Sequence, residues 1–161
     1  MELILMRHGK AEPAIPPMKD EERDLTEPGR EKVIAAAQGL AGGLADASRL
    51  QIWTSSLARA LSTASIVAEV LGVEELRLLP CLEEGKLPEL LQELATVEED
   101  AQVLVVGHEP YLSLWTEHLA GSALPFKPAT AACLTPCAGR SERWRLRWYA
   151  QAGILGCLGK K

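Results

Sequence analysis

Leu3-Ile4-Leu5-Met6-Arg7-His8-Gly9 decides the reading of this chain. Four apolar residues in succession are the pattern of a strand buried on both faces, and the run ends abruptly on a cation, an imidazole and a glycine. In α/β sheets, ligands collect at the carboxyl ends of strands, where loops present polar groups from a rigid support. Two later stretches repeat the arrangement. Leu50–Thr54 runs into Ser55-Ser56-Leu57-Ala58-Arg59, and Gln102–Val106, the clearest buried strand in the chain, runs into Gly107-His108-Glu109-Pro110.

Between these strand exits the sequence alternates in type. Residues 10–23, with Pro13, Pro16 and Pro17, can form neither a helix nor a central strand and read as a long loop. Thr26 is a helix N-cap followed by Glu27 and Pro28, with Val33, Ala37, Leu40 and Leu44 on one face. Ser55 or Ser56 is expected to cap a second helix carrying Leu57, Leu61, Ala64, Ala68 and Leu71, which Gly72 stops. Residues 76–79 read as a strand, Leu87–Leu94 as a helix, and Pro110 opens a helix that runs to about Gly121. Residues 131–135 and 143–149 close the fold as strands. In the last, Trp144, Leu146 and Trp148 alternate with Arg143, Arg145 and Arg147, the period of a half-buried strand. The expectation is one α/β domain over residues 1–161: three layers, with helices on both faces of a mostly parallel sheet of about six strands.

Composition narrows the function. With 17 basic against 22 acidic residues, the chain is not expected to coat nucleic acid or an anionic membrane, and the arginine stripe reads as a solvated face. The opening residues are too short and too acidic for a signal peptide, no stretch reaches transmembrane length, and a cytoplasmic protein is expected. Cys81, Cys133, Cys137 and Cys157 lack CxxC spacing and read as free thiols. His8, His108 and His118 offer no i, i+4 pair for zinc.

A tripeptide such as Arg-His-Gly arises by chance in about one chain in a hundred of this length. Its weight comes from company. A parallel sheet sets strand ends side by side, so His8, His108, Arg7, Arg59 and a helix N-terminus are expected in one pocket. Guanidinium forks and exposed helix N–H groups complement a dianionic phosphoryl group.

These residues resemble the histidine phosphatase superfamily, also called phosphoglycerate mutase-like, in which Arg7-His8-Gly9 matches the RHG motif. The likeness extends through Arg23-Asp24-Leu25-Thr26 with Gly29, through residues 55–60 with Thr63, and through Gly107-His108-Glu109-Pro110. The short length looks most like the small phosphohistidine phosphatases of the SixA type. The resemblance implies that His8 is a nucleophile phosphorylated in the reaction, and that Arg7, Arg59 and His108 clamp the phosphoryl oxygens. It places Arg23, Gly9 and Ser55 against the substrate. Flanking guanidinium charges are expected to keep His8 neutral, and converging cations to make a metal or other cofactor unnecessary.

The chain departs from that pattern after Pro80, where an acid tends to stand and Cys81 is found; Glu83 and Glu84 follow, and Glu83 is the candidate general acid. The expected substrate is phosphohistidine in a protein partner, such as a His-containing phosphotransfer domain. A phosphomonoesterase acting on a small phosphorylated metabolite is the alternative within enzymes, and a phosphoprotein-binding module without turnover is the alternative outside them.

Overall fold

The computed structural model describes residues 1–44, 47–137 and 140–159. Six strands, β1 (Glu2–Arg7), β2 (Leu50–Thr54), β3 (Leu76–Leu78), β4 (Gln102–Gly107), β5 (Ala131–Cys137) and β6 (Arg140–Ala150), form one sheet in the order β3-β2-β4-β1-β5-β6. The first four in that order run parallel, and β5 and β6 are antiparallel at one side. The helices are α1 (Glu27–Ala41), α2 (Ala58–Leu71), α3 (Cys81–Glu84), α4 (Leu87–Leu94), α5 (Tyr111–Ala120) and α6 (Ala152–Leu158).

Alternation along the buried strands builds two cores. Ile4, Met6, Ile52, Leu104 and Val106 face α1, α2 and α6, whereas Leu3, Leu5, Trp53, Val103 and Val105 face α3, α4 and α5. This is the expected three-layer arrangement, and it explains why the central strands read as unbroken apolar runs.

Local chemistry sets the helix ends. The Thr26 hydroxyl accepts from Gly29 N at 3.1 Å and caps α1, and Gly72, at φ +71°, closes α2. Neither Ser55 nor Ser56 caps α2, contrary to expectation. Leu57 is the N-cap residue without a side-chain bond, because both hydroxyls are already engaged, Ser55 with His108 and Ser56 with Glu83.

Two further features depart from the sequence pattern. A register shift between Cys133 and Leu134 pairs them with Trp148 and Leu146, leaving Arg147 unpaired in a β-bulge. Trp144 and Leu146 therefore pack with the α5 layer, while Trp148 joins the α1 layer on the opposite face. The stripe Arg143, Arg145 and Arg147 is exposed as expected, and Arg147 pairs with Glu2. Helix α6, which the periodicity did not announce, lies against α1 where Gly39 leaves room for the Leu155 carbonyl.

A Cβ on Gly39 would stand 1.9 Å from Leu155 O, a clash with backbone, whereas one on Gly43 meets nothing closer than 3.5 Å among the described residues. Gly39→Ala should therefore lower stability in urea unfolding by about 1–3 kcal/mol, and Gly43→Ala should not. Equal midpoints for the two variants would contradict this seating of α6.

Candidate active site

Parallel pairing of β4 with both β1 and β2 brings the three strand exits together, with Arg7 opposite Gly107 and Thr54 opposite Val106. His8 N donates to Gly107 O at 3.2 Å, so the two histidine turns leave the sheet as one unit. Both imidazoles are buried, their ring centroids 5.2 Å apart.

His8 Nδ1 lies 2.7 Å from Gly9 O. A carbonyl only accepts, so Nδ1 carries the proton and the lone pair resides on Nε2. Gly9 N donates to Thr63 Oγ1 at 3.0 Å, and that hydroxyl donates to Arg59 O at 2.7 Å, which connects the histidine turn to the first turn of α2. A Cβ at Gly9 would meet Val33 Cγ2 at 2.7 Å, so glycine lets this turn lie against α1.

The His8 pKa is depressed from 6.5 to about 4, first by burial and then by Arg59, Arg7 and Arg23, with the Gly9 carbonyl opposing. The direction is the expected one, but burial outweighs the guanidinium charges. His108 is depressed to about 3 by burial and by His8, Arg59 and Arg7, while Asp20 opposes. Its Nε2 lies 2.7 Å from Ser55 Oγ, and its Nδ1 is buried without a partner among the described residues.

Ser55, expected against the substrate, is fully buried, and its hydroxyl is directed at His108. The physical reason is that Ser55 continues the buried β2 before the chain turns outward. Arg7 donates to Phe126 O at 2.7 Å, and Glu109 Oε1 accepts from Phe126 N at 2.9 Å, so carboxylate, loop and guanidinium form one unit.

Arg59 and Arg23 converge on one residue. Arg59 donates to Asp20 O at 2.8 Å and to Asp20 Oδ2 at 3.1 Å, and Arg23 donates to Asp20 Oδ1 at 2.7 Å and to Glu12 O at 2.6 Å. Although desolvation alone would raise it, the Asp20 carboxyl is held below its usual range by these two arginines. Asp20, Thr63 and Glu109 are positioning groups that sequence reasoning did not assign; an acid three residues before Arg23 was the only local signal for Asp20. Glu83 Oε2 accepts from Ser56 Oγ at 2.8 Å at the exit of β2, and Glu84 faces Lys86. His118 is exposed on α5, and among the described residues no three His, Cys, Asp or Glu side chains converge as a metal site.

The model of the histidine phosphatase superfamily, branch 1, matches residues 3–90. The chain belongs to that superfamily. The matched segment holds His8, Arg23 and Arg59, while His108 lies beyond it. No curated protein sequence matches the chain. Among solved structures, the chain is similar to the protein histidine phosphatase SixA complexed with tungstate, at 25% identity and TM-score 0.82, covering 96% of this chain and 99% of that one. It is also similar to a protein assigned as phosphohistidine phosphatase SixA from Nakamurella multipartitia, at 28% identity and TM-score 0.69, over 93% and 95%. A mycobacterial glucosyl-3-phosphoglycerate phosphatase, at 21% identity and TM-score 0.70 over 93% and 99%, shares the fold. The superfamily makes this protein a phosphatase. Among the described residues no helix is long and apolar enough to cross a membrane.

Because the folded pKa of His8 lies below its ordinary 6.5, the neutral ring's stabilisation is complete above pH 6.5 and is lost as pH falls through about 4. NMR titration of the ring C–H resonances should place the His8 midpoint near 4; a midpoint near 6.5 would contradict the burial described here.

Proposed function

We propose that this phosphatase removes phosphate from phosphohistidine in a protein partner, acting in the cytoplasm through a phosphoryl group carried on His8. The observation that carries the reading is the bond from His8 Nδ1 to Gly9 O, which leaves a neutral, buried Nε2 beside Arg7, Arg59 and His108. His8 Nε2 attacks phosphorus as the P–N bond to the substrate imidazole breaks, and the departing imidazole takes up a proton. Water then attacks the phosphorus on His8, releasing orthophosphate and restoring the free ring.

Arg7, Arg59, Arg23 and His108 stabilise charge on the three equatorial oxygens, the main requirement of a loose phosphoryl transition state. Because Ser55 Oγ engages its Nε2, Nδ1 is the His108 ring nitrogen left to meet one of those oxygens. Tungstate is a tetrahedral oxyanion, and its presence in the similar SixA structure accords with an oxyanion site in this fold.

Leaving-group chemistry supports phosphohistidine over an alkyl phosphate. An alkoxide needs a positioned proton donor worth about a hundredfold to ten-thousandfold, whereas imidazole departs readily. At the position where an acid tends to stand, Cys81 is buried in the core and its thiol pKa is raised by burial and by Glu89 and Glu93. The second reading, a phosphomonoesterase for a small metabolite, is favoured by Glu83, which Ser56 holds at the same strand exit that carries Arg59.

The test is turnover measured side by side on a phosphorylated histidine phosphotransfer domain, an aryl phosphate and an alkyl phosphate. The expected order is that order, and Glu83→Gln and Glu84→Gln should leave phosphohistidine turnover within about tenfold of wild type. Brisk alkyl phosphate hydrolysis abolished by Glu83→Gln would establish the metabolite reading instead.

A further inference from the structure

Beside the histidine site a second concavity of about 550 Å³ opens between the residue after Gly9, α1, the loop entering β5 and the start of α6. Among the described residues three lysines line it, Lys10, Lys32 and Lys127, and no acid does. That is a local reversal in a chain with 17 basic and 22 acidic residues. Elsewhere Lys19, Arg30 and Lys86 pair with carboxylates, but among the described residues none of these three lysines does. Ala35, Gly153 and Gly156 contribute small surfaces without counter-charge between them. Like charges around one cavity repel each other, and an anion placed among them relieves that repulsion.

The cavity adjoins the reaction centre. Lys10 is two residues from His8, a span of at most about 7 Å. On the opposite wall, Arg7 N donates to Thr130 O at 3.0 Å and Ala129 N donates to Arg7 O at 3.1 Å. All three lysines are exposed. Their ammonium groups are hydrated point charges on flexible stems, suited to a rim that steers and registers a protein surface rather than to a rigid clamp on a small ligand.

We propose that this cavity docks an acidic segment of the phosphoprotein substrate, anchoring the partner while its phosphohistidine enters the His8 site. The proposal rests on the phosphohistidine reading above. Carboxylates of the partner seat against Lys10, Lys32 and Lys127, so recognition of the protein is separated from recognition of the phosphoryl group.

The experiment compares wild type with the triple variant Lys10→Gln, Lys32→Gln, Lys127→Gln on two substrates, a phosphorylated histidine phosphotransfer domain with an acidic face and free phosphohistidine, across a salt series. The triple variant should lose about tenfold or more in kcat/KM on the protein, through KM, with a flattened salt dependence, and should match wild type on free phosphohistidine. Unchanged kinetics on the protein, or an equal loss on both substrates, would overturn the proposal. If wild type turns over neither substrate, the phosphohistidine reading has failed. Docking is then read separately by fluorescence anisotropy of the labelled, unphosphorylated domain. There, affinity about tenfold weaker in the triple variant supports the lysine surface, and equal affinity overturns it.

Discussion

The hydrogen bond from His8 Nδ1 to the Gly9 carbonyl is the constraint on which the site depends. An imidazole can present a lone pair from either nitrogen, and a carbonyl partner removes the choice. The chain then secures that carbonyl through its own residue, since Gly9 N–H is bound by Thr63 and Thr63 by the Arg59 carbonyl. Orientation of the His8 ring and placement of the first turn of α2 are thus one arrangement. A side chain at position 9 would break it, because Val33 of α1 occupies the space a Cβ would need.

Around this centre the positive groups are held in place by polar partners outside the reacting group. Asp20 takes bonds from both Arg59 and Arg23, and the Phe126 carbonyl, steadied by Glu109, takes one from Arg7. Arginine side chains lose considerable rotamer freedom when fixed, so partners that fix them in advance leave less to be lost when a phosphoryl group arrives. Each terminal nitrogen of Arg59 gives one bond to Asp20 and retains another N–H, so the tether leaves donors for an anion. Burial is the largest cause of the depressed His8 pKa, so the packed site that gathers the cations also keeps His8 neutral.

The parts of this structure legible in sequence were those governed by local pattern. Apolar runs marked β1 and β4, and Leu50, Ile52 and Trp53 marked β2; the polar residues after these strands fell together because parallel strands share an exit side. Thr26 and Gly72 act where their chemistry indicated. Parts governed by distant partners were not legible. The hydroxyls of Ser55 and Ser56 fit a cap by spacing, yet they bond to residues 53 and 27 positions away. Trp148 followed the alternation of Trp144 and Leu146 until a bulge, invisible to a period of two, moved it to the other face. Helix α6 carries Gly153 and Gly156, which lower intrinsic helicity, and its place is set by contact with Gly39 on α1. Asp20 lay in a segment read as loop, and its importance arises only when that loop meets α2.

Transfer of the phosphoryl group to His8 Nε2 can be followed by quenching the enzyme in alkali during turnover of labelled phosphohistidine protein and mapping the label by mass spectrometry. A base-stable, acid-labile phosphoryl group is expected on His8, with loss of both label and turnover in His8→Ala. Label on another residue, or an active His8→Ala protein, would contradict it.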